Sequence, residues 1–154
     1  MRLGQRRATR AIWLRLFGLY GPCETAASML PWLARHFAQG EVPALTPCTQ
    51  LWDYLHVRDG ARAVCALLPT QAHGVFNLAS GQAPPLRETV LKLRDLMAPK
   101  IEPDFGAVPF GPEQVQCLAG DISRLQAATG WGPQISLDEG LAELATEAFG
   151  ALAS

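Results

Sequence analysis

Residues Ala11–Phe17 read AIWLRLF, an apolar run of strand-forming types, and Met29, Leu30, Leu33 and Phe37 follow it at helical spacing before Gly40. The same change of period then recurs. Trp52–Val57 alternates bulky side chains as a short strand does. A helix follows it, with Val57 or Ala61, Val64 and Leu68 on one face and Pro69 at its end. Gly74–Ala79 is a further strand closed by Ser80 and Gly81, and Leu86, Val90, Leu93 and Met97 step by four, three and four as a helix. A chain that alternates in this way buries its helices against mostly parallel strands, which places it in the α/β class. The cluster Gly18–Pro22 ends the first strand in a loop, at the carboxyl end where open α/β sheets bind ligands.

Beyond Pro99 the pattern loosens. Pro103, Gly106, Pro109, Gly111 and Pro112 predict an extended crossing with one short strand near Ile101–Phe105. Asp121 is placed to cap a short helix through Leu125 and Ala128. Ser136 and Glu139 have capping-box spacing ahead of Leu137, Leu141, Leu144 and Ala148. The sum is short strands and about five helices. With 154 residues and 49% hydrophobic content, the chain has material for a single soluble core.

Charge removes several classes of function. Thirteen basic and fourteen acidic residues leave a net charge of -1, without the basic excess that a nucleic-acid or anionic-membrane footprint requires. Arg2, Arg6, Arg7, Arg10 and Arg15 crowd the start, but Arg15 interrupts the apolar run that a signal peptide needs. They read as a basic helix end running into a strand. The longest purely apolar stretch, Ala63–Leu68, is too short to span a bilayer, so the expected setting is the cytoplasm. Cys23, Cys48, Cys65 and Cys117 form no Cys-x-x-Cys pair, and His36, His56 and His73 are scattered; reduced thiols and no metal are expected.

Self-contained nucleotide chemistry also lacks its signatures. No Gly-x-Gly-x-x-Gly or Gly-x-x-Gly-x-x-Gly occurs, and Gly18 and Gly21 are followed by Glu24 where the next glycine would fall. Neither lysine, Lys92 or Lys100, follows a glycine as in a phosphate-binding loop. Leu78 occupies the first glycine position of a nucleophile elbow around Ser80.

An ordered set of segments says more. Arg15–Pro22 (RLFGLYGP) resembles the Arg-x-x-Asn-x-Tyr-Gly-Pro segment of the extended short-chain dehydrogenase/reductases, the NAD-dependent nucleotide-sugar epimerases and dehydratases. Trp52–Asp59 (WDYLHVRD) is similar to their Arg-Asp-Phe-Ile-His-Val-Asp-Asp, and Phe76–Gly81 (FNLASG) to their Tyr-Asn-Ile-Gly-Ser-Gly. Asp121–Arg124, Gly130–Pro133 and Leu137–Leu141 resemble the closing segments of that family. The resemblance covers nearly the whole chain in the family's order. It implies the C-terminal portion of a Rossmann-like fold: residues 1–22 as the last part of the NAD-binding sheet and residues 23–154 as a substrate-binding lobe.

It also implies a division of chemistry. Family members hold NAD or NADP through an N-terminal Gly-rich half and move hydride with a Tyr-x-x-x-Lys pair, in which the lysine lowers the tyrosine pKa. Here Tyr20 and Tyr54 are followed four residues on by Glu24 and Arg58, so no catalytic residue is assigned. By position, Leu16 and Phe17 fall beside the nicotinamide. Gly18 replaces an Asn whose amide contacts substrate, and Tyr20 lies in the same loop. Met29, Leu30, Leu45 and Thr46 fall on the nucleotide-base side of the pocket. Trp52 stands where many members place an Arg on the diphosphate, and Gly111 stands at a second such position. An indole stacks on a base or sugar but does not replace a bidentate guanidinium.

Structural roles compete with these. Asp59 reads as a helix cap, Asn77 as a partner for buried backbone, Arg15 as a fold anchor, and Trp131 and Leu141 as core. Arg58 reads as a solvated helix-start residue, with a substitute phosphate ligand as the alternative. The leading expectation is the substrate-binding portion of an NAD(P)-dependent nucleotide-sugar epimerase, dehydratase or reductase. Its ligand is a nucleotide diphosphate sugar, the cofactor is not bound by this chain alone, and a partner chain carrying the N-terminal half can complete it. The alternatives are a non-catalytic binding module for sugar nucleotides or proteins, and a truncated reading frame without a role of its own.

Overall fold

The computed structural model describes residues 10–152, and the basic segment holding Arg2, Arg6 and Arg7 lies outside the described residues. Among the described residues eight short strands and five helices follow one another: β1 Ile12–Leu16, β2 Gly18–Tyr20, α1 Met29–Ala38, β3 Ala44–Leu45, β4 Leu51–Trp52, β5 Tyr54–His56, α2 Val57–Leu67, β6 Gly74–Leu78, α3 Leu86–Met97, β7 Asp104–Phe105, β8 Cys117–Leu118, α4 Ser123–Thr129 and α5 Leu137–Leu152. The strands form four parallel pairs, β1 with β6, β2 with β5, β3 with β7 and β4 with β8. Parallel partners need a crossover, and the helices between them supply it.

The expected break after Phe17 is a change of partner instead of a loop. Phe17 N donates to Leu78 O at 3.1 Å, completing the β1–β6 pair, and Gly18 N donates to Asp53 O at 3.1 Å, opening the β2–β5 pair. Gly18 permits this because a Cβ there would stand 2.5 Å from Asp53 O. The glycine serves close backbone approach and does not end the strand. The strand expected over Trp52–Val57 is likewise two strands, split at Asp53, with Val57 already helical.

Helices α1, α3 and α5 pack on one another around Leu30, Leu33, Phe37, Val90, Leu93 and Leu141. The stripes read from sequence hold for these three. Arg35 and His36 in the last turn of α1 suit its negative end. The capping box of α5 forms as expected: Glu139 Oε2 accepts from Ser136 N at 2.8 Å, and Ser136 Oγ accepts from Glu139 N at 3.2 Å. The Cβ that Gly140 lacks would meet Tyr20 Oη at 2.0 Å, so this glycine admits the tyrosine ring against the start of α5.

A second cluster gathers Leu55, Leu67, Phe76, Leu78, Leu125 and Trp131 between β5, β6, α2 and α4. Here the α2 stripe departs from expectation, since Asp59, Gly60, Ala63 and Leu67 are buried while Val57, Ala61, Val64 and Leu68 face outward. The helix is turned by about one residue because Gly60 lets Leu19 approach, with 3.3 Å between Leu19 Cδ2 and a Cβ placed there. Asp59 is not the cap. That role falls to His56, whose Nδ1 accepts from Arg58 N at 3.3 Å. Asp59 is fully buried in the first turn, accepts from Gln134 N and Ile135 N at 2.9 Å each, and pairs with Arg62. It fastens the segment leading into α5 to the start of α2.

Among the described residues no helix is long and apolar enough to cross a membrane, and no His, Cys, Asp or Glu group is arranged to hold a metal ion. All four cysteines are free thiols.

Candidate functional site

The site grows from the Phe17–Gly18 partner change. Beside it, the Asp53 carboxylate is fully buried between β4 and β5. Its Oδ1 accepts from Ser80 N at 2.7 Å, and its Oδ2 accepts from Gly81 N at 3.0 Å and Gly120 N at 3.3 Å. One side chain thus ties the loop after β6 and the segment after β8 to the middle of the chain. A buried carboxylate is tolerated when backbone N–H groups take its lone pairs in this way. Asn77 works alongside, donating to Asp121 O at 2.9 Å while its Oδ1 accepts from Arg15 at 3.3 Å. Arg15 is therefore a fold anchor through a hydrogen bond.

Trp52 covers Gly18. Its Nε1 lies 3.0 Å from the Cβ position of that glycine, so the indole fills the space into which a larger side chain at 18 would extend. A 410 Å³ cavity lies against Trp52, walled by Gly111, Pro112, Glu113, Gln114 and Val115. A second cavity of 260 Å³ lies beside it; Met29, Leu45, Thr46, Cys48 and Gln50 line it, and Gln114 borders both. The turn that forms its floor is constrained. Cys48 adopts φ +54, a left-handed conformation uncommon for a residue with a side chain. Its amide donates to Thr46 Oγ1 at 3.4 Å, and its carbonyl accepts from Arg87 N at 2.7 Å, so the first turn of α3 holds the turn in place. Burial pushes the Cys48 thiol up, while the Thr46 hydroxyl and the Arg87 charge pull it back.

Met29, Leu45 and Thr46 meet in one cavity, and Trp52 lines its neighbour. Gly18 lies under the indole. Leu16 stands exposed at the end of β1, and Phe17 packs half-buried against the cluster between α2 and α4. Leu30 and Tyr20 are placed in the helical core. The Tyr20 ring meets Tyr54 and His56 edge-on, at 5.7 and 5.4 Å between centroids. Its hydroxyl has no hydrogen-bond partner among the described residues. Burial, with the negative charges of Asp59 and Glu143 nearby, pushes the Tyr20 phenol far up; burial and Glu24 do the same to Tyr54. Both stay protonated. Arg58 is exposed yet not simply solvated, since it pairs with Glu143 Oε1 at 2.5 Å.

Sequence reasoning passed over Asp53, Cys48, Gln50, Gln114 and Arg87. Only Asp53 carried a signal: a carboxylate inside the apolar run from Leu51 to Val57 must find partners. The others depend on contacts that no local pattern encodes.

Parallel strand pairs joined by helices, with cavities beside the carboxyl ends of β3 and β4, define a Rossmann-like α/β protein. The chain belongs to the NAD dependent epimerase/dehydratase family, whose model matches residues 2–79. Among curated proteins it is 25% identical over 130 residues to the UDP-glucuronate 4-epimerase of Thermodesulfobacterium geofontis, a match that takes in 83% of this chain and 40% of that protein. Among solved structures, RMD from Pseudomonas aeruginosa complexed with NADPH superimposes with a TM-score of 0.83 at 25% identity, over 96% of this chain and 51% of that one. The UDP-glucose 4-epimerase of Thermotoga maritima with UDP-glucose gives 0.86 at 22% identity, over 98% and 49%. The chain spans about half the length of these solved structures and less than half the length of the curated relatives it matches.

Proposed function

We propose that this chain is the substrate-binding portion of an NAD(P)-dependent nucleotide-sugar epimerase, dehydratase or reductase. In this reading residues 1–22 continue the cofactor-binding sheet and residues 23–154 form the lobe that holds a nucleotide diphosphate sugar. The single observation that carries it is the convergence of Met29, Leu45 and Thr46 on one cavity, joined through Gln114 to the cavity of Trp52. Segments far apart in sequence meet there as a binding lobe requires.

The residues fit the cofactor only in part. Leu16 and Phe17 offer an apolar edge suited to one face of a nicotinamide ring, and no glycine-rich turn is present to approach a pyrophosphate. Two tyrosines held neutral by burial and lacking a lysine four residues on are unsuited to proton transfer. The chain on its own therefore binds nucleotide sugar without turning it over, and a partner carrying a Gly-rich half and a Tyr-x-x-x-Lys pair would supply hydride transfer. Calorimetric titration with UDP-, GDP- and dTDP-sugars tests this. Binding of one class without turnover on adding NAD or NADP is expected, and no binding to any of them would overturn it.

A second reading, a non-catalytic binding module, is favoured by Gly18 under Trp52, where the Nε1 edge of an indole stands in the space of a substrate-facing amide. A cofactor-bearing partner that restores no turnover would favour it.

A further inference from the structure

The walls of the two cavities include no cation; Glu113, on the Trp52 side, carries the single formal charge among them. A diphosphate placed against Trp52 and Gly111 would face that carboxylate with nothing to offset it. A compensating charge would have to come from outside these walls, and Arg87 stands nearby in the first turn of α3, its charge felt at the Cys48 thiol that lines the 260 Å³ cavity. The Arg87 guanidinium stacks on the Phe105 ring, 3.9 Å from its centroid. Phe105 is in register with Leu45, a residue of the 260 Å³ cavity, and Leu86 of the same cavity precedes Arg87. No carboxylate among the described residues lies within 4 Å of this guanidinium, whereas Arg58, Arg62 and Arg94 are all paired. Stacking occupies the face of the group and leaves its edge of N–H donors open.

A second, independent feature points into the same cavity. Gln50 lines it and is 4% exposed, yet its Oε1 has no hydrogen-bond partner among the described residues. A buried amide oxygen left unpaired is unfavourable, so it is expected to gain a partner when the cavity fills.

Resting on the nucleotide-sugar reading above, we propose that two residues outside the family's usual cation positions hold the nucleoside-phosphate end of the ligand. The Gln50 carboxamide pairs with a hydroxyl or ring N–H of the nucleoside inside the cavity, and the Arg87 guanidinium takes the phosphate charge at its rim. Phe105 is a positioning residue, since it holds the guanidinium flat and turned edge-on. Trp52 and Gly18 are left for the sugar, which stacks on an indole without needing charge.

The test is calorimetric titration of the full chain with UDP, GDP and dTDP and with the parent nucleosides, at two salt concentrations. For the diphosphate that binds, Arg87→Gln is expected to weaken affinity about tenfold or more and to flatten its salt dependence. Arg87→Lys should recover part of this, and Phe105→Leu should cost a few-fold. The matching nucleoside should lose nothing with Arg87→Gln and should weaken with Gln50→Leu. Thermal melting of each variant separates lost binding from lost fold, and Arg87, being exposed, is expected to melt like the parent. Equal diphosphate binding by the parent and Arg87→Gln, both folded, would overturn the assignment while leaving the nucleotide-sugar reading standing. If no nucleotide or nucleotide sugar binds the parent, the reading beneath it fails as well.

Discussion

Two regions of this molecule treat their apolar residues in opposite ways. In the α1–α3–α5 bundle, each expected stripe finds a partner, and Leu33, Val90, Leu93 and Leu141 are excluded from solvent. In the β1–β6 sheet and along α2, large apolar side chains face outward: Trp13 is 61% exposed, Leu16 58% and Val75 43%, with Val64 and Leu68 beyond them. Trp13 and Val75 are register partners, so they form one patch on the same face of the sheet. The helical region is a finished core that carries the candidate site on its edge. The sheet region presents a surface of the kind that proteins cover with another element or another chain.

The largest expected contrast is between a leucine of the bundle and the tryptophan of the sheet. Leu93→Ala should cost about 2–5 kcal/mol in urea or thermal unfolding. Trp13→Ser should change stability by no more than about 0.5 kcal/mol and should instead lower self-association in sedimentation. A Trp13 variant as damaging as Leu93→Ala would abolish the distinction. Next in size is Asp53→Ala, at the seam between the regions, which leaves three backbone N–H groups unpaired. A loss of about 2–4 kcal/mol is expected, with Asp53→Asn recovering little because its amide cannot accept all three bonds.

Smaller still is Tyr20→Phe. Removing a buried hydroxyl that has no partner should stabilise the bundle by about 1 kcal/mol, and a loss instead would show that the hydroxyl has a role in the folded chain. The smallest effect is one of pH. Glu139 is exposed, and the Ser136 side chain and backbone amide hold its carboxyl below the usual range. The folded value is depressed, so the cap's contribution is present above the unfolded glutamate pKa and is lost as pH falls through the folded one. Melting curves of Glu139→Gln should therefore lose a little less stability on acidification than the parent.

Much of the bundle was legible because its elements are locally determined. The spacing of Leu86, Val90, Leu93 and Met97 fixes a helix face whatever surrounds it, and Ser136 with Glu139 caps α5 through neighbours three residues apart. The sheet region was harder to read. Val57, Val64 and Leu68 share a face by spacing alone, but which face is buried depends on Leu19 meeting Gly60 and on Asp59 gripping Gln134 and Ile135, contacts across long stretches of chain. Trp52 lies in an ordered segment and Met29, Leu45 and Thr46 were assigned by position within the resemblance, and the fold brings those three to one cavity. Gln50 and Arg87 were not legible, because an unpaired amide or a stacked guanidinium exists only once the chain has folded.

The sequence by itself determined the alternation of strand and helix, the capping box of α5, the exclusion of a strongly basic binding surface and the ordered segments that mark the family, all properties of residue type and short spacing. Tertiary structure alone decided where β1 hands its pairing to β2, which face of α2 is buried, and which side chains share a cavity. Those outcomes are set by contacts such as Gly18 against Asp53 and Arg87 against Phe105, where the partners lie far apart in the chain and the free energy arises only when they meet.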